Sequence, residues 1–221
     1  MTFCLDTTII KPENNFEIKN AIILLHGYGG DGKDISVLSL NWKRYLPNTV
    51  FICPNGHERC HINPSGYQWF DLSNEDPKYI LTQSQRAEKK LSQFIDEVKK
   101  EYNLDNDKIC LSGFSQGCMM SINLGLTADK EYNCIVGFSG KIIDPEDLKL
   151  RKKVATSTLL IHGDTDQVVM PNFLLEAKDF FIRNDIEIET HLIKGCDHHI
   201  PIEASSIALN YILKNFNIPY H

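Results

Sequence analysis

The chain has 221 residues, 42% of them hydrophobic, with 23 Lys and Arg against 29 Asp and Glu, so its formal net charge is −6. This length and composition allow one sizeable core, and we expect a single domain over residues 1–221. The charge argues against general nucleic-acid binding, and no apolar run approaches the ~18 residues needed to cross a bilayer, so no stable membrane insertion is expected.

Seven scattered cysteines, an odd number without framework spacing, and the lack of a signal-peptide pattern indicate a reducing cytoplasm. Apolar runs predict strands near residues 3–10, 21–26, 48–53, 107–112, 134–139, 157–162 and 187–194. Stretches with helical periodicity alternate with them, near 34–46, 81–102, 116–128, 172–183 and 202–216. The alternation predicts an α/β fold, with a mostly parallel sheet and helices on both faces. Residues 54–79 have no sustained period and are predicted to form a long functional loop.

Residues 113–117 read G-F-S-Q-G and follow the predicted strand 107–112. A G-x-S-x-G pattern between a strand and a helix is typical of a nucleophile elbow, in which a sharp turn exposes the serine. Flanking glycines permit that turn and the close approach of the helix. The pattern therefore predicts Ser115 as a nucleophile, at the start of a helix whose free N–H groups point at the reacting centre.

An acid and a histidine follow the serine in the chain, which is the triad order of hydrolases with this elbow. Asp164 and Asp166 come directly after the predicted strand 157–162, and His198 and His199 come after the strand 187–194. The mechanism alone leaves open which aspartate orients the imidazole and which histidine is the base.

The tetrahedral intermediate of acyl transfer also needs hydrogen-bond donors for its oxyanion. The backbone N–H of Gln116 is one candidate, and the glycine-rich loop 26–32 after an early strand can supply another. The same loop is no phosphate cradle of the Walker type, because Gly32-Lys33 is followed by Asp34 rather than by Ser or Thr.

Three further residues could suggest a metal centre, namely His57, Cys60 and His61. Their spacing matches no common zinc pattern and a fourth ligand is missing. Serine chemistry needs no metal, so we expect neither a metal nor a cofactor.

Five segments together resemble the phospholipase/carboxylesterase family, small α/β-hydrolases that include acyl-protein thioesterases: 25–30, 69–71, 113–117, 162–169 and 195–200. The resemblance implies the α/β-hydrolase fold, here without an insertion long enough for a large lid domain.

The same resemblance implies catalytic residues Ser115, Asp166 and His198, because the family patterns place the acid before x-Val-Val and the histidine two before isoleucine. It implies backbone N–H donors at Gln116 and Tyr28. Asp164 and His199 are then expected to be exposed loop residues.

The resulting functional hypothesis is cleavage of carboxylic ester or thioester bonds through an acyl-serine intermediate, with fatty-acyl substrates implied by the resemblance. The substrate could be displayed on a protein or a lipid. The alternatives are a short-chain carboxylesterase acting on small soluble esters and a non-catalytic ligand-binding protein. Small hydrolases of this kind often pair, so a homodimer is a further expectation.

Two aromatic residues, Trp69 and Phe70, are expected either to form the wall of the acyl pocket or to anchor their loop in the core. The chain departs from the family pattern at Cys118, where glycine is usual, and we expect a buried, unreactive thiol there. It departs again at Met170, which shifts the proline by one position to Pro171 but leaves Asp166 in place.

Overall fold

The computed structural model describes residues 3–13 and 16–219, and a seven-stranded sheet lies at its centre. Its strands are β1 (Thr7–Ile10), β2 (Asn20–Leu25), β3 (Thr49–Pro54), β6 (Ile109–Phe114), β7 (Cys134–Phe138), β8 (Thr158–Gly163) and β9 (Ile188–Ile193). The two remaining strands, β4 (Glu58–Arg59) and β5 (Tyr67–Gln68), pair with each other in a separate hairpin. The order across the large sheet is β1-β3-β2-β6-β7-β8-β9, and every neighbouring pair is parallel except β1 with β3.

Within the described residues, seven α-helices accompany these strands: α1 (Gly32–Ile35), α2 (Val37–Trp42), α3 (Pro77–Tyr102), α4 (Gln116–Thr127), α5 (Pro145–Arg151), α6 (Asn172–Arg183) and α7 (Ile202–Asn215). One face of the sheet packs against α1, α2 and α7, and the other packs against α3, α4, α5 and α6. The predicted α/β architecture, with a mostly parallel sheet covered on both faces, is therefore confirmed. No helix within the described residues combines the length and apolar character that a membrane crossing requires.

The central strands are apolar on both sides because helices cover both faces of the sheet. Every residue of β3 and β8 is buried. The longest helix, α3, buries a stripe that repeats every three or four residues, which is the pattern that predicted it: Ala87, Leu91, Phe94, Ile95 and Val98.

Three local predictions were wrong or incomplete. The expected helix 34–46 is two short helices that meet at Ser36, whose Oγ donates to the carbonyl of Lys33 at 2.7 Å. Residues 54–79 contain the β4–β5 hairpin rather than being wholly irregular. The short helix α5 was not predicted, although Asp144 caps it and Pro145 occupies its first position.

Parallel pairing brings the carboxyl ends of β2, β6, β8 and β9 to the same edge of the sheet. Loops at this edge form the crevice in which open α/β sheets bind ligands. The predicted nucleophile, acid, base and glycine-rich loop all follow these four strands, so the topology brings them together.

Candidate active site

Ser115 lies in a sharp turn between β6 and α4, with a left-handed backbone φ of 53° and a ψ of −114°. Such dihedrals are costly for a residue with a side chain and are concentrated at functional sites. The two neighbouring glycines make the turn possible: a Cβ on Gly113 would lie 2.3 Å from the carbonyl of Gly117, and one on Gly117 would lie 2.1 Å from the carbonyl oxygen of Leu25. The backbone N–H of Ser115 donates to the carbonyl of Phe138 at 2.8 Å, which fixes the turn to β7.

Ser115, His198 and Asp166 form one hydrogen-bonded chain. The Oγ of Ser115 lies 3.0 Å from His198 Nε2, and His198 Nδ1 lies 2.7 Å from Asp166 Oδ2. Because a carboxylate can only accept, Nδ1 carries the proton and Nε2 is free to accept the serine hydroxyl. This tautomer is the one a general base requires.

Asp166 is buried, with 1% of its surface exposed. Burial alone would raise the pKa of Asp166, but hydrogen bonds from His198 and from the backbone N–H groups of Val169 and Val168 outweigh it, and the pKa is lowered. Both backbone N–H groups donate to Asp166 Oδ1 at 2.9 Å. The acid is therefore held ionised in one orientation, with its second oxygen left for the imidazole.

The two alternatives left open by the sequence are not part of this chain. Asp164 is exposed, and its Oδ1 accepts the backbone N–H of Gly195 at 2.6 Å, which ties together the loops after β8 and β9. His199 is also exposed and is paired through Nδ1 with Asp197.

The two predicted oxyanion donors flank the serine. Within the described residues, neither the N–H of Gln116 nor that of Tyr28 has an acceptor. The glycine-rich loop comes close to the nucleophile, since a Cβ on Gly27 would lie 3.4 Å from the Cβ of Ser115. Both backbone groups are therefore available to a ligand at the serine.

His26 holds the glycine-rich loop in place, a role that the sequence analysis did not identify. It is buried, its Nδ1 lies 2.7 Å from the carbonyl oxygen of Gly27, and its Nε2 accepts the backbone N–H of Gly56 at 2.8 Å. Burial lowers the pKa of His26, although the Gly27 carbonyl opposes this effect. The Gly27 carbonyl belongs to the same peptide unit as the N–H of Tyr28, so His26 fixes the direction of that donor. A polar residue at the end of an apolar strand was the available signal.

Of the two expectations for Trp69 and Phe70, their burial agrees with the core anchor and not with the pocket wall. They are 1% and 2% exposed and belong to the core between α3 and the sheet. The indole N–H of Trp69 donates to the carbonyl of His26 at 2.9 Å, so the ring is anchored beneath the glycine-rich loop.

The sequence analysis assigned a role to the backbone N–H of Gln116 but not to its side chain. Its Oε1 accepts the N–H of Trp69 at 2.8 Å, and its Nε2 donates to the carbonyl of Phe70 at 2.7 Å. The anchored loop is thereby attached to the nucleophile elbow.

Cys118 is buried, as expected, and burial raises the pKa of its thiol to about 12. It fits in the first turn of α4 because two facing glycines leave room: a Cβ on Gly137 or Gly140 would lie 2.3 or 2.4 Å from Cys118 Sγ. Substitution of the usual glycine is therefore accommodated by neighbours without side chains.

His57, Cys60 and His61, the residues considered for a metal site, each contact a different partner. His57 Nε2 lies 3.4 Å from Glu58, and His61 Nε2 lies 3.9 Å from Asp71. Cys60 lies against the glycine-rich loop, since a Cβ on Gly29 would lie 3.7 Å from its Sγ. Burial and a hydrogen bond to Cys60 raise the pKa of the Tyr28 phenol to about 12. In the part of the chain that the structure describes, no group of three His, Cys, Asp or Glu residues is placed to hold a metal ion.

A cavity of about 400 Å³ opens beside the serine, between the glycine-rich loop, α1, α2 and residues 198–200. A larger one, about 590 Å³, lies between α3 and residues 124–132 and 151–153 and is lined mostly by polar and charged side chains. Of these two cavities, the smaller one is lined by His198, a member of the Ser115–His198–Asp166 chain.

Comparison with known proteins agrees with this geometry. Residues 6–216 match the model of the family described as Phospholipase/Carboxylesterase. The chain is 26% identical over 199 residues to acyl-protein thioesterase 1 of Schizosaccharomyces pombe, covering 86% of each chain, and 24% identical over 206 residues to esterase YpfH of Escherichia coli, covering 90% of this chain and 84% of that one. The crystal structure of esterase PE8 superposes with a TM-score of 0.90 and 32% identity, covering 95% of this chain and 98% of that chain. The chain belongs to the phospholipase/carboxylesterase family and has the α/β-hydrolase fold.

Proposed function

We propose that this protein is a serine hydrolase that cleaves fatty-acyl esters or thioesters through an acyl-serine intermediate. The observation that carries the proposal is the hydrogen-bonded chain from Asp166 through His198 to Ser115, with Ser115 Oγ 3.0 Å from the base. Family membership supports ester and thioester hydrolysis as the reaction.

In acylation, Ser115 Oγ attacks the acyl carbonyl carbon while His198 Nε2 takes the hydroxyl proton. The carbonyl oxygen becomes an oxyanion, for which the backbone N–H groups of Gln116 and Tyr28 are the donors. The intermediate then expels the alcohol or thiol, which receives the proton from His198. Asp166 keeps the imidazole in the required tautomer and stabilises its positive charge.

In deacylation, water takes the place of the alcohol or thiol. His198 Nε2 accepts a proton from the water as its oxygen attacks the acyl-serine carbonyl. Collapse of the second tetrahedral intermediate returns that proton to Ser115 Oγ and releases the carboxylic acid.

A fatty-acyl substrate displayed on a protein or lipid is supported by the relatives named acyl-protein thioesterase. Exposed apolar side chains next to the acid, Val168 and Met170, add apolar surface at this edge of the sheet. A cytoplasmic location is supported by the seven cysteines, all of which are free. By analogy with small hydrolases of this kind, we also propose that the protein forms a homodimer.

The test is hydrolysis of matched oxyesters and thioesters with acyl chains of two to sixteen carbons, by the wild type and by Ser115→Ala. Loss of the nucleophile is expected to lower turnover by roughly 10⁴ to 10⁶. An optimum at long thioesters supports the proposal, and an optimum at two to four carbons favours the short-chain esterase. Equal rates for the wild type and Ser115→Ala would overturn the hydrolase mechanism and favour a ligand-binding role.

A further inference from the structure

The cavity of about 400 Å³ beside Ser115 has an apolar wall and a single carboxylate. It lies on the face of the sheet covered by α1, α2 and α7, whereas Trp69 and Phe70 belong to the core cluster on the other face. The residues that make its wall apolar are Tyr28, Ile35, Val37, Leu38, Phe114 and Ile200. This volume is within the range of small-molecule sites, and it is open to solvent beyond the exposed Val37.

The position of His198 indicates which part of a substrate enters this cavity. The imidazole lines the cavity and packs against Phe114, with 4.8 Å between the ring centroids. During acylation the same imidazole must hand its proton to the departing alcohol or thiol, so the leaving atom lies beside His198 Nε2. The acyl substituent occupies a different corner of the tetrahedral carbon. The contact with His198 therefore favours the leaving group, rather than the acyl substituent, as the group next to the cavity.

The charge of the cavity wall restricts which leaving groups the cavity can bind. Asp34 contributes a carboxylate to the wall, and no Lys or Arg is present among the described residues that line it. A phosphate or carboxylate on the alcohol or thiol would be repelled by Asp34, and these described wall residues offer no Lys or Arg to offset that repulsion. A neutral or cationic apolar group has no such penalty.

We propose that this cavity binds the leaving group of the substrate, and that it selects apolar alcohols or thiols without negative charge. The inference rests on the proposed function, since only an acyl-transfer reaction has a leaving group at Ser115. It predicts discrimination against phosphorylated thiols and alcohols that share the same acyl group.

The first experiment fills the cavity with Leu38→Trp and uses Leu40→Trp as the matched control on the same helix. Leu38 lines the cavity, whereas Leu40 is 60% exposed and does not. Val37→Trp serves as a second cavity variant, because Val37 is 59% exposed and its replacement does not disturb the core. Circular dichroism and thermal unfolding establish that each variant folds.

Two rates separate the leaving group from the acyl group. The kcat/KM for esters of one fatty acid with different alcohols and thiols includes the leaving group, whereas decay of the isolated acyl-enzyme, followed by intact mass, does not. We expect Leu38→Trp and Val37→Trp to lower kcat/KM about tenfold or more for bulky leaving groups. Decay of the acyl-enzyme is expected to keep its dependence on acyl-chain length, and Leu40→Trp is expected to change neither rate.

The second experiment tests charge with Asp34→Asn, and with Asp179→Asn on α6 as the control. Asp34→Asn is expected to raise kcat/KM for phosphorylated leaving groups relative to neutral ones by a fewfold at low salt, and the gain is expected to disappear at high salt. Asp179→Asn is expected to leave the ratio unchanged.

Contrary results fall into two distinguishable kinds. If Leu38→Trp slows decay of long acyl-enzymes or shifts the acyl-chain optimum while leaving-group dependence is preserved, the cavity binds the acyl chain and the inference is wrong. If hydrolysis does not depend on Ser115 at all, the proposed function itself fails, and the inference fails with it.

Discussion

The imidazole of His26 accepts the backbone N–H of Gly56 at 2.8 Å. Because a backbone N–H can only donate, Nε2 must be unprotonated, and the proton on Nδ1 is donated to the Gly27 carbonyl. The folded protein therefore requires a neutral His26, which agrees with the lowering of its pKa by burial. The ring also stacks on Trp69, with 5.1 Å between centroids, so one buried imidazole connects the glycine-rich loop with the segments around residues 56 and 69.

Because the fold requires a neutral His26, we expect the protein to lose stability in mild acid. In the unfolded chain a histidine binds a proton near pH 6.5, whereas the lowered pKa keeps His26 unprotonated in the fold. Below about pH 6.5 the unfolded state therefore binds more protons, and the free energy of unfolding falls as the pH falls. Urea unfolding between pH 7.5 and 5 is expected to show this slope. His26→Asn is expected to be less stable at pH 7.5 but to have a shallower slope; an unchanged slope would contradict the assignment.

A second buried histidine, His162, limits how much of the pH dependence of the free energy of unfolding is lost in His26→Asn. Burial also lowers its pKa, and it is 2% exposed, with Nε2 2.7 Å from the carbonyl of Val169. Part of the acid sensitivity is therefore expected to persist in His26→Asn.

The two aspartates after β8 are expected to differ sharply in their kinetic importance. Asp166→Asn leaves His198 without the carboxylate that fixes its tautomer, so kcat is expected to fall by about 10⁴. Asp164→Asn is the matched control, because an amide oxygen can still accept the N–H of Gly195, and its kcat is expected to stay within about twofold of the wild type. Steady-state hydrolysis of one ester by both variants is sufficient. Comparable losses in the two variants would contradict the assignment of the acid.

The close packing of Cys118 and Gly140 predicts that substitutions at these two positions have non-additive effects on the free energy of unfolding. A Cβ at position 140 would lie 2.4 Å from Cys118 Sγ and 2.6 Å from its Cβ, so Gly140→Ala is expected to cost about 1–3 kcal/mol of stability. Cys118→Gly removes both clashing atoms. In that background the cost of Gly140→Ala is expected to fall by about 1 kcal/mol or more, as measured by a double-mutant cycle in urea. Additive effects would show that the two positions do not compete for space.

Gly117 is expected to tolerate no side chain at all. Its Cβ would meet the backbone of Leu25 at 2.1 Å, and neither β2 nor α4 can move away without disrupting the sheet. Gly117→Ala is expected to cost about 3 kcal/mol or more, or to prevent folding. Gly30→Ala is the control, because its nearest contact would be 3.4 Å and its cost is expected to stay near or below about 1 kcal/mol. Similar stability of the two variants would contradict the packing described for the elbow.

Much of this site could be predicted because its signals are local in the sequence. The elbow at Ser115 is defined by two glycines that its own turn requires, and the acid and base follow strands whose carboxyl ends must meet in a parallel sheet. The periodic stripe of α3 indicated that helix because each buried position lies three or four residues from the next.

The parts that could not be predicted depend on contacts distant in the sequence. Whether Trp69 lines a pocket or lies in the core is decided by Gln116, 47 positions away, and by the carbonyl of His26. The role of His26 depends on Gly56, 30 positions along the chain. The division into α1 and α2 at Ser36 is likewise not reported by helical periodicity.

The most direct test of the central claim is covalent labelling with a fluorophosphonate, read by intact mass and peptide mapping. The serine chemistry predicts that the wild type gains one adduct on the peptide that contains Ser115, and that Ser115→Ala gains none. The variant His198→Gln keeps the Ser115 hydroxyl but lacks the base. Its Ser115 is therefore expected to be labelled far more slowly than in the wild type. An unlabelled wild type, or equal labelling of Ser115→Ala, would contradict the assignment of Ser115 as an activated nucleophile.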